Sequence, residues 1–407
     1  MIEYLTSHLL FPFSINIIFF NVFLFLNIFL PISVGLIFKI DLEKTLKIIT
    51  INFIFLLIYI AFVNSFGGDG FGWYRKPWFN DEYTFERCGG ILYCSRERLI
   101  LKLALIFKDL KIHYLNSILL LNILSCMVFL LLYSRVKHLF IFKNFNFFLL
   151  VFMITYSGAL FWGSGFLKDN FILFAIALFM ISIDQNKINY KILSIAVLIS
   201  FLIRPLPGFF MLSSVFLYVY VYRFYFKKDK MSRNNYLFIF LFITLGVFTF
   251  FQYGISLNSD FASDIIRKMQ ILSNSNNSKS YLDGELTYDN GISVLTKYFL
   301  YYFGPMRFDS PLFIILSVQN FSILLITSLF FILIIKKFNL FKKFIKHLGY
   351  KNIYFIYLIL YNMIVPITAF NGGIALRQKW MSLIVFFYLA YLFTSFVAER
   401  VKKNKKT

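Results

Sequence analysis

Residues 9–38 read LLFPFSINIIFFNVFLFLNIFLPISVGLIF, a run without one charged side chain. A helix crosses the hydrocarbon core of a bilayer with about 20 apolar residues. The run also lacks a small-residue cleavage site, so it reads as a membrane anchor rather than a removed signal. Apolar runs recur near 46–65, 117–133, 145–162, 171–183, 192–203, 208–222, 236–255, 311–335, 353–370 and 381–398. The expected fold is an all-α, polytopic integral membrane protein with about 10–11 transmembrane or partial helices. The pieces 171–183, 192–203 and 208–222 are short enough to be partial or tilted helices, and 192–222 can equally be one kinked span. No internal repeat stands out, and 1–407 reads as a single membrane domain.

Only 15% of the residues are charged and 59% are hydrophobic, at a mean hydropathy of +0.74. Soluble domains carry about 25% charged residues, and could not hide this much apolar surface. The net charge of +22 does not indicate nucleic acid, because the lysines sit in short loops between apolar spans, where they set topology. The 57 phenylalanines belong to a Phe, Ile, Asn and Lys bias that suits an AT-rich genome, and need no functional account. Three cysteines cannot form a disulfide framework. Cys88 and Cys94 lie in one loop and can pair in an oxidising compartment or stay free.

Four segments are strongly basic: Arg135–Lys143, Arg223–Arg233, Lys336–Lys351 and the tail 399–407. Two long polar segments, 66–116 and 256–310, mix acids with bases. Cytoplasmic loops carry the excess of Lys and Arg. This places the basic segments and the C-terminus in the cytoplasm and the mixed loops outside, with consistent span parity from residue 117 onward. The orientation of the N-terminus stays open, since 9–38 is either one long span or a hairpin.

Several cations break this rule by falling on the outer side: Arg75, Lys76, Lys168, Arg204, Arg307, Arg377 and Lys379. Arg204 interrupts ILSIAVLISFLI and PLPGFFMLSSVFLY. An ionisable residue at such depth costs several kcal/mol unless paired or wetted, and marks a functional site by default. Pro205 and Pro207 interrupt the helix there. The turn GSGFLKDN brings Lys168 and Asp169 to the same outer side. Two readings of these charges compete: a structural one, with Arg204 or Lys168 paired to Asp169 or snorkelling, and convergence on an anion. Arg suits the second, because its planar fork binds phosphate bidentately.

The first outer loop offers Asp69 among glycines as a candidate general base towards a sugar hydroxyl, with Trp73 as a stacking face. The bland alternative is a glycine-rich membrane exit with interfacial aromatic anchors. The late turn NGGIALRQKW groups Asn371, Arg377 and Lys379. The four histidines (8, 113, 138, 347) make no metal-ligand pattern. There is no Walker-type loop or nucleophile elbow. No cofactor or metal is therefore expected.

The combination of FGGDGFGWY, FWGSGFLKDN, mid-membrane RPLP, a large late outer loop and NGGIALRQKW resembles the polymerases of bacterial O-antigen and capsule gene clusters (Wzy-type). More loosely, it resembles the GT-C membrane glycosyltransferases. The first resemblance implies a glycosyltransferase at the periplasmic face of the inner membrane. It would join oligosaccharide repeat units carried on undecaprenyl diphosphate, with membrane lipids and a chain-length regulator as partners. It casts Arg204 and Arg377 as diphosphate-binding arginines and Asp69 as the base, the catalytic set. Lys168, Asp169, Arg75, Lys76, Trp73, Arg307, Lys379 and Asn371 form the substrate-binding set. The loop 256–310 is moderate for such a polymerase, which keeps a GT-C transferase using a polyprenyl-phosphate sugar in view. A lipid-linked oligosaccharide flippase is the third reading, although transporters often show internal repeats.

Overall fold

The computed structural model describes residues 17–66, 98–165, 167–226, 294–304, 311–368 and 377–404. These are about 89% helical and contain no strand; a lone antiparallel bridge joins Ile183 to Ile188. The protein is an all-α, multi-pass membrane protein. Five described helices are long and apolar enough to cross a membrane, and a sixth arises if one sharply bent pair counts as a single span. The helices are α1 Ile17–Ile37, α2 Leu42–Phe66, α3 Arg98–Asp109, α4 Tyr114–Val136, α5 Phe145–Gly163, α6 Lys168–Ser182, α7 Tyr190–Ile203, α8 Pro205–Phe216, α9 Val294–Phe303, α10 Pro311–Lys336, α11 Phe338–His347, α12 Ile353–Thr368 and α13 Trp380–Asn404. A π-helical stretch, Leu217–Phe226, continues α8. The expected span at 236–255 lies outside the described residues.

Local chemistry sets several boundaries. Asn144 accepts hydrogen bonds from the backbone of Asn146 and Phe147 and so caps α5. Asn189 does the same for α7 through Ile192, and His113 for α4 through Leu115. A side-chain acceptor at these positions satisfies amide hydrogens that have no helical partner. α7 stops where Pro205 lacks an N–H and crowds the preceding residue out of helical geometry; the same proline then opens α8, a position that suits its fixed φ. The region 192–222 is thus two helices with a break at Arg204.

The chain forms two compact units. Unit 1 comprises Met1–Lys137, Ala159–Leu178 and Leu198–Arg204. Its central helix is α4, buried along most of its length, while the apolar residues of α1 are largely exposed. In a bilayer lipid is as apolar as leucine, so helices associate through small and polar residues instead. α1 shows this: its buried residues are Phe23, Asn27, Pro31 and Gly35, one per turn on one face. Asn27 donates to the Leu119 carbonyl at 2.6 Å, and Asn122 donates to Asn27 at 3.1 Å. Lys137 at the foot of α4 donates to the Phe38 and Lys39 carbonyls at 2.7 Å each, satisfying acceptors that α1 leaves open at its end. Asp41, in the turn between α1 and α2, pairs with Lys44. That hydrogen bond, then the lysine charge, holds the Asp41 carboxyl below its usual range. α3 lies within what the sequence presents as a polar loop. Its Ala104 and Phe107 join Leu56, Tyr59 and Tyr114 in the core of this unit.

Unit 2 comprises His138–Gly158, Phe179–Val197 and Pro205–Thr407. α13 is its buried axis. α12 presents Tyr354, Tyr357 and Tyr361, all fully buried, at helical spacing. Each phenol donates to a backbone carbonyl: Tyr354 to Met180 at 2.7 Å, Tyr357 to Met381 at 3.2 Å and Tyr361 to Gln378 at 2.8 Å. A buried phenol finds such a partner because an unpaired hydroxyl in an apolar setting costs free energy. α9 also lies within a segment expected to be loop, and packs on α12 and α10.

Candidate functional site

The turn between α5 and α6 is built to bring a carboxylate inside. Ser164 donates to the Leu160 carbonyl at 2.9 Å, and Asn170 donates back to the Gly165 carbonyl at 2.7 Å. Gly165 lies so close to Tyr59 that a Cβ would fall 2.1 Å from the phenol oxygen; only glycine lets the turn reach that helix. This folds the first turn of α6 into the unit 1 interior, where Asp169 and Asn170 are buried and Lys168 is half-buried.

Asp169 meets Arg204 there. Arg204 Nη1 lies 3.2 Å from Asp169 Oδ1; the Asp169 side chain is 2% exposed and that of Arg204 17%. Arg204 stands at the end of α7, where its N–H makes the last helical bond to Ser200 at 2.7 Å. Both Asp169 oxygens and Arg204 Nη1 are buried without a hydrogen bond of good geometry among the described residues. Buried polar atoms almost always have such partners, and an exception calls for an explanation. The pair is therefore an ionic contact held by charge and placement at a break between apolar helices, with the two proline rings following. Part of the Arg204 side chain still reaches the surface of the unit.

Unit 2 holds a second polar cluster around Lys379. This lysine is fully buried. Its Nζ donates to Asn320 Oδ1 at 2.5 Å and to the Tyr302 carbonyl at 3.3 Å. Asn320 in turn donates to the Gly304 carbonyl at 2.9 Å. Tyr302 donates to the Asn362 side chain and exchanges a bond of 3.0 Å with Ser382, while Tyr298 reaches the Asn362 carbonyl at 2.5 Å. The network ties α9, α10, α12 and the start of α13 together. Its polar atoms are engaged with one another, which makes Lys379 a structural clamp inside unit 2.

The structure thus brings Asp169 and Arg204 together in unit 1 with Lys168 beside them in sequence. Arg377 and Lys379 lie in unit 2, Arg377 half-buried. Asp69, Trp73, Arg75, Lys76, Arg307 and Asn371 lie outside the described residues. Asn320, Asn362, Tyr298, Tyr302 and Ser382 were not singled out by sequence. The signal for Asn320 was an amide in the middle of a 26-residue apolar helix, where a polar side chain marks an inward face. Among the described residues no three of His, Cys, Asp or Glu gather as a metal site would need. No protein-family profile, curated protein or solved structure matches this chain.

Proposed function

We propose that the chain is a membrane glycosyltransferase of the polymerase type, acting at the periplasmic face of the inner membrane on oligosaccharide repeat units carried by undecaprenyl diphosphate. The observation that carries this reading is Arg204. It is an arginine at a proline-marked helix break, partly exposed, held beside a buried carboxylate that has no hydrogen-bond partner among the described residues. In the proposed reaction an acceptor hydroxyl attacks the anomeric carbon of the donor glycan, and the glycosyl–phosphate bond breaks. The diphosphate departs with the electron pair, and a base takes the hydroxyl proton. A fixed guanidinium stabilises the charge that develops on the leaving group. In this scheme Arg204 holds a phosphate and Asp169 orients Arg204, while Arg377 and Asp69 are the candidates that the sequence offers for a second cation and for the base.

The test is the surface polysaccharide ladder of a deletion strain complemented with wild type, Arg204→Ala or Arg377→Ala. The expected result is one repeat unit on the lipid carrier or core in the deletion strain, with both variants inserted in the membrane and neither restoring the ladder. A full ladder from both variants sinks the assignment. A ladder in which each repeat is one sugar lighter points to a single-sugar transferase, and repeat units held on the cytoplasmic leaflet point to a flippase.

A further inference from the structure

The basic stretch from Lys336 to Lys351 is largely helical rather than a loop. After α10 ends at Lys336 the chain turns into α11, whose ten residues FNLFKKFIKH span about 15 Å. That is half the hydrocarbon thickness of about 30 Å, so α11 cannot cross. Its axis turns by 117° into the helix that follows. The turn is pinned. Gly349 sits at φ +55°, and a Cβ there would meet the Gln185 carbonyl at 2.2 Å. Tyr350 donates to that same carbonyl at 3.0 Å, and Gln185 donates to the His347 carbonyl at 2.7 Å. The 117° turn holds α11 about 27° from the plane perpendicular to the helix that follows, so α11 would lie near the surface of a bilayer that α12 crosses.

Its two faces differ. Phe341 and Phe344 pack on Phe393 of α13, with ring centroids 5.3 and 5.2 Å apart, and Phe344 also meets Phe396 at 5.7 Å. Lys336, Lys337, Lys342, Lys343 and Lys346 are all exposed. The foot of α13 adds exposed Arg400 over the Phe396 ring and Lys402 over the Phe140 ring, and exposed Lys143 shares that Phe140 ring. The described acids on the elements packed against α11 are Asp184 and Glu399. Exposed Phe338 and Ile345 flank the lysines with apolar surface.

We propose that this end of unit 2 is a binding surface for anionic phospholipid headgroups, with α11 as an interfacial helix. An amphipathic helix with apolar side chains level with the acyl chains and lysines at the phosphates binds in this way. Each lysine near an anionic surface adds roughly fivefold in affinity, and a rigid row presents several at once. The inference does not depend on the glycan chemistry.

The experiment uses the full chain, purified in neutral detergent and titrated with phosphatidylglycerol or phosphatidylcholine. Native mass spectrometry counts the lipids retained, and thermal unfolding gives the shift. Phosphatidylglycerol is retained in preference to phosphatidylcholine and raises the unfolding temperature, and added salt abolishes both effects. The triple variant Lys342→Gln, Lys343→Gln, Lys346→Gln loses affinity for phosphatidylglycerol on the order of 100-fold, while the corresponding triple Lys→Arg variant keeps it. Equal retention of the two lipids by wild type, salt-insensitive retention, or wild-type affinity in the Gln variant overturns the proposal. If the Gln variant does not fold, the salt titration of wild type decides.

Discussion

The contact between Asp169 and Arg204 makes a prediction that separates structure from chemistry. At 3.2 Å and an effective dielectric constant of about 20, the attraction between the two charges is roughly 5 kcal/mol. Desolvation of each ion opposes this by several kcal/mol, so the pair as a whole is near neutral against an uncharged pair of the same shape. Removing one partner is different, because the survivor keeps its desolvation cost and loses its attraction. Asp169 is the worse survivor: 2% exposed, against 17% for Arg204, and without hydrogen bonds on either oxygen. Arg204→Gln therefore destabilises by about 3–5 kcal/mol. Asp169→Asn costs less, because an arginine can swing its head towards polar surroundings. The double variant recovers most of the loss, giving a coupling of about 2 kcal/mol or more. Arg204→Lys keeps the charge and holds stability within about 1 kcal/mol, but lacks the bidentate fork.

Unfolding of the full chain in mixed micelles at rising dodecyl sulfate fraction measures these differences, and the polysaccharide ladder of the same strains measures function. The expected outcome is a stable Arg204→Lys protein that makes little polymer, and a stable double variant that makes none. Additive single effects, with coupling under about 0.5 kcal/mol, would refute the ion pair. Full-length polymer from the stable double variant would leave Arg204 a structural residue only, and the diphosphate assignment would fall.

What could be read from the sequence follows from how lipid acts as a solvent. Apolar length placed α4, α5, α10 and α13, because a spanning helix needs that length and nothing else. The proline pair and a charge in an apolar run located the α7–α8 break and Arg204. The two readings of Arg204 could not be separated, since pairing with Asp169 depends on the α5–α6 turn folding onto Tyr59, a contact between residues about a hundred positions apart. α11 was hidden by its own lysines. Phe338, Phe341, Phe344 and Leu348 recur at helical spacing, but the charge between them gives a mean hydropathy that looks like a loop. α3 was hidden in the same manner, whereas α9, with Lys297 its single charge, was hidden by the long polar segment around it. Tyrosine carried an ambiguous signal too. It is a common interfacial anchor, yet Tyr354, Tyr357 and Tyr361 are buried, because distant carbonyls at Met180, Met381 and Gln378 accept their protons.

Two further perturbations test the packing that positions these groups. Gly165→Ala places a methyl 2.1 Å from the Tyr59 oxygen and destabilises by about 1–3 kcal/mol, read in the same micelle titration; wild-type stability would mean that the turn does not dock on α2. The Lys379 cluster gives an ordering of effects. Lys379→Met leaves Asn320 Oδ1 and the Tyr302 carbonyl without their donor, at about 1–3 kcal/mol for each orphaned acceptor. Asn320→Leu does more harm, because it orphans the Gly304 carbonyl and strips a fully buried ammonium of its closest acceptor. Losing a buried hydrogen bond made by a charged donor costs about 1.5–3 kcal/mol. The double variant falls below the sum of the two, since the ammonium is gone while the Gly304 carbonyl stays unpaired. Limited proteolysis shows where the loss acts: cleavage rises within 294–304 as α9 leaves the network, and stays unchanged in 114–136 of unit 1. If Lys379→Met is as stable as wild type and α9 stays protected, Lys379 does not clamp unit 2. Its burial would then need another cause, with an anionic substrate group as the first to try.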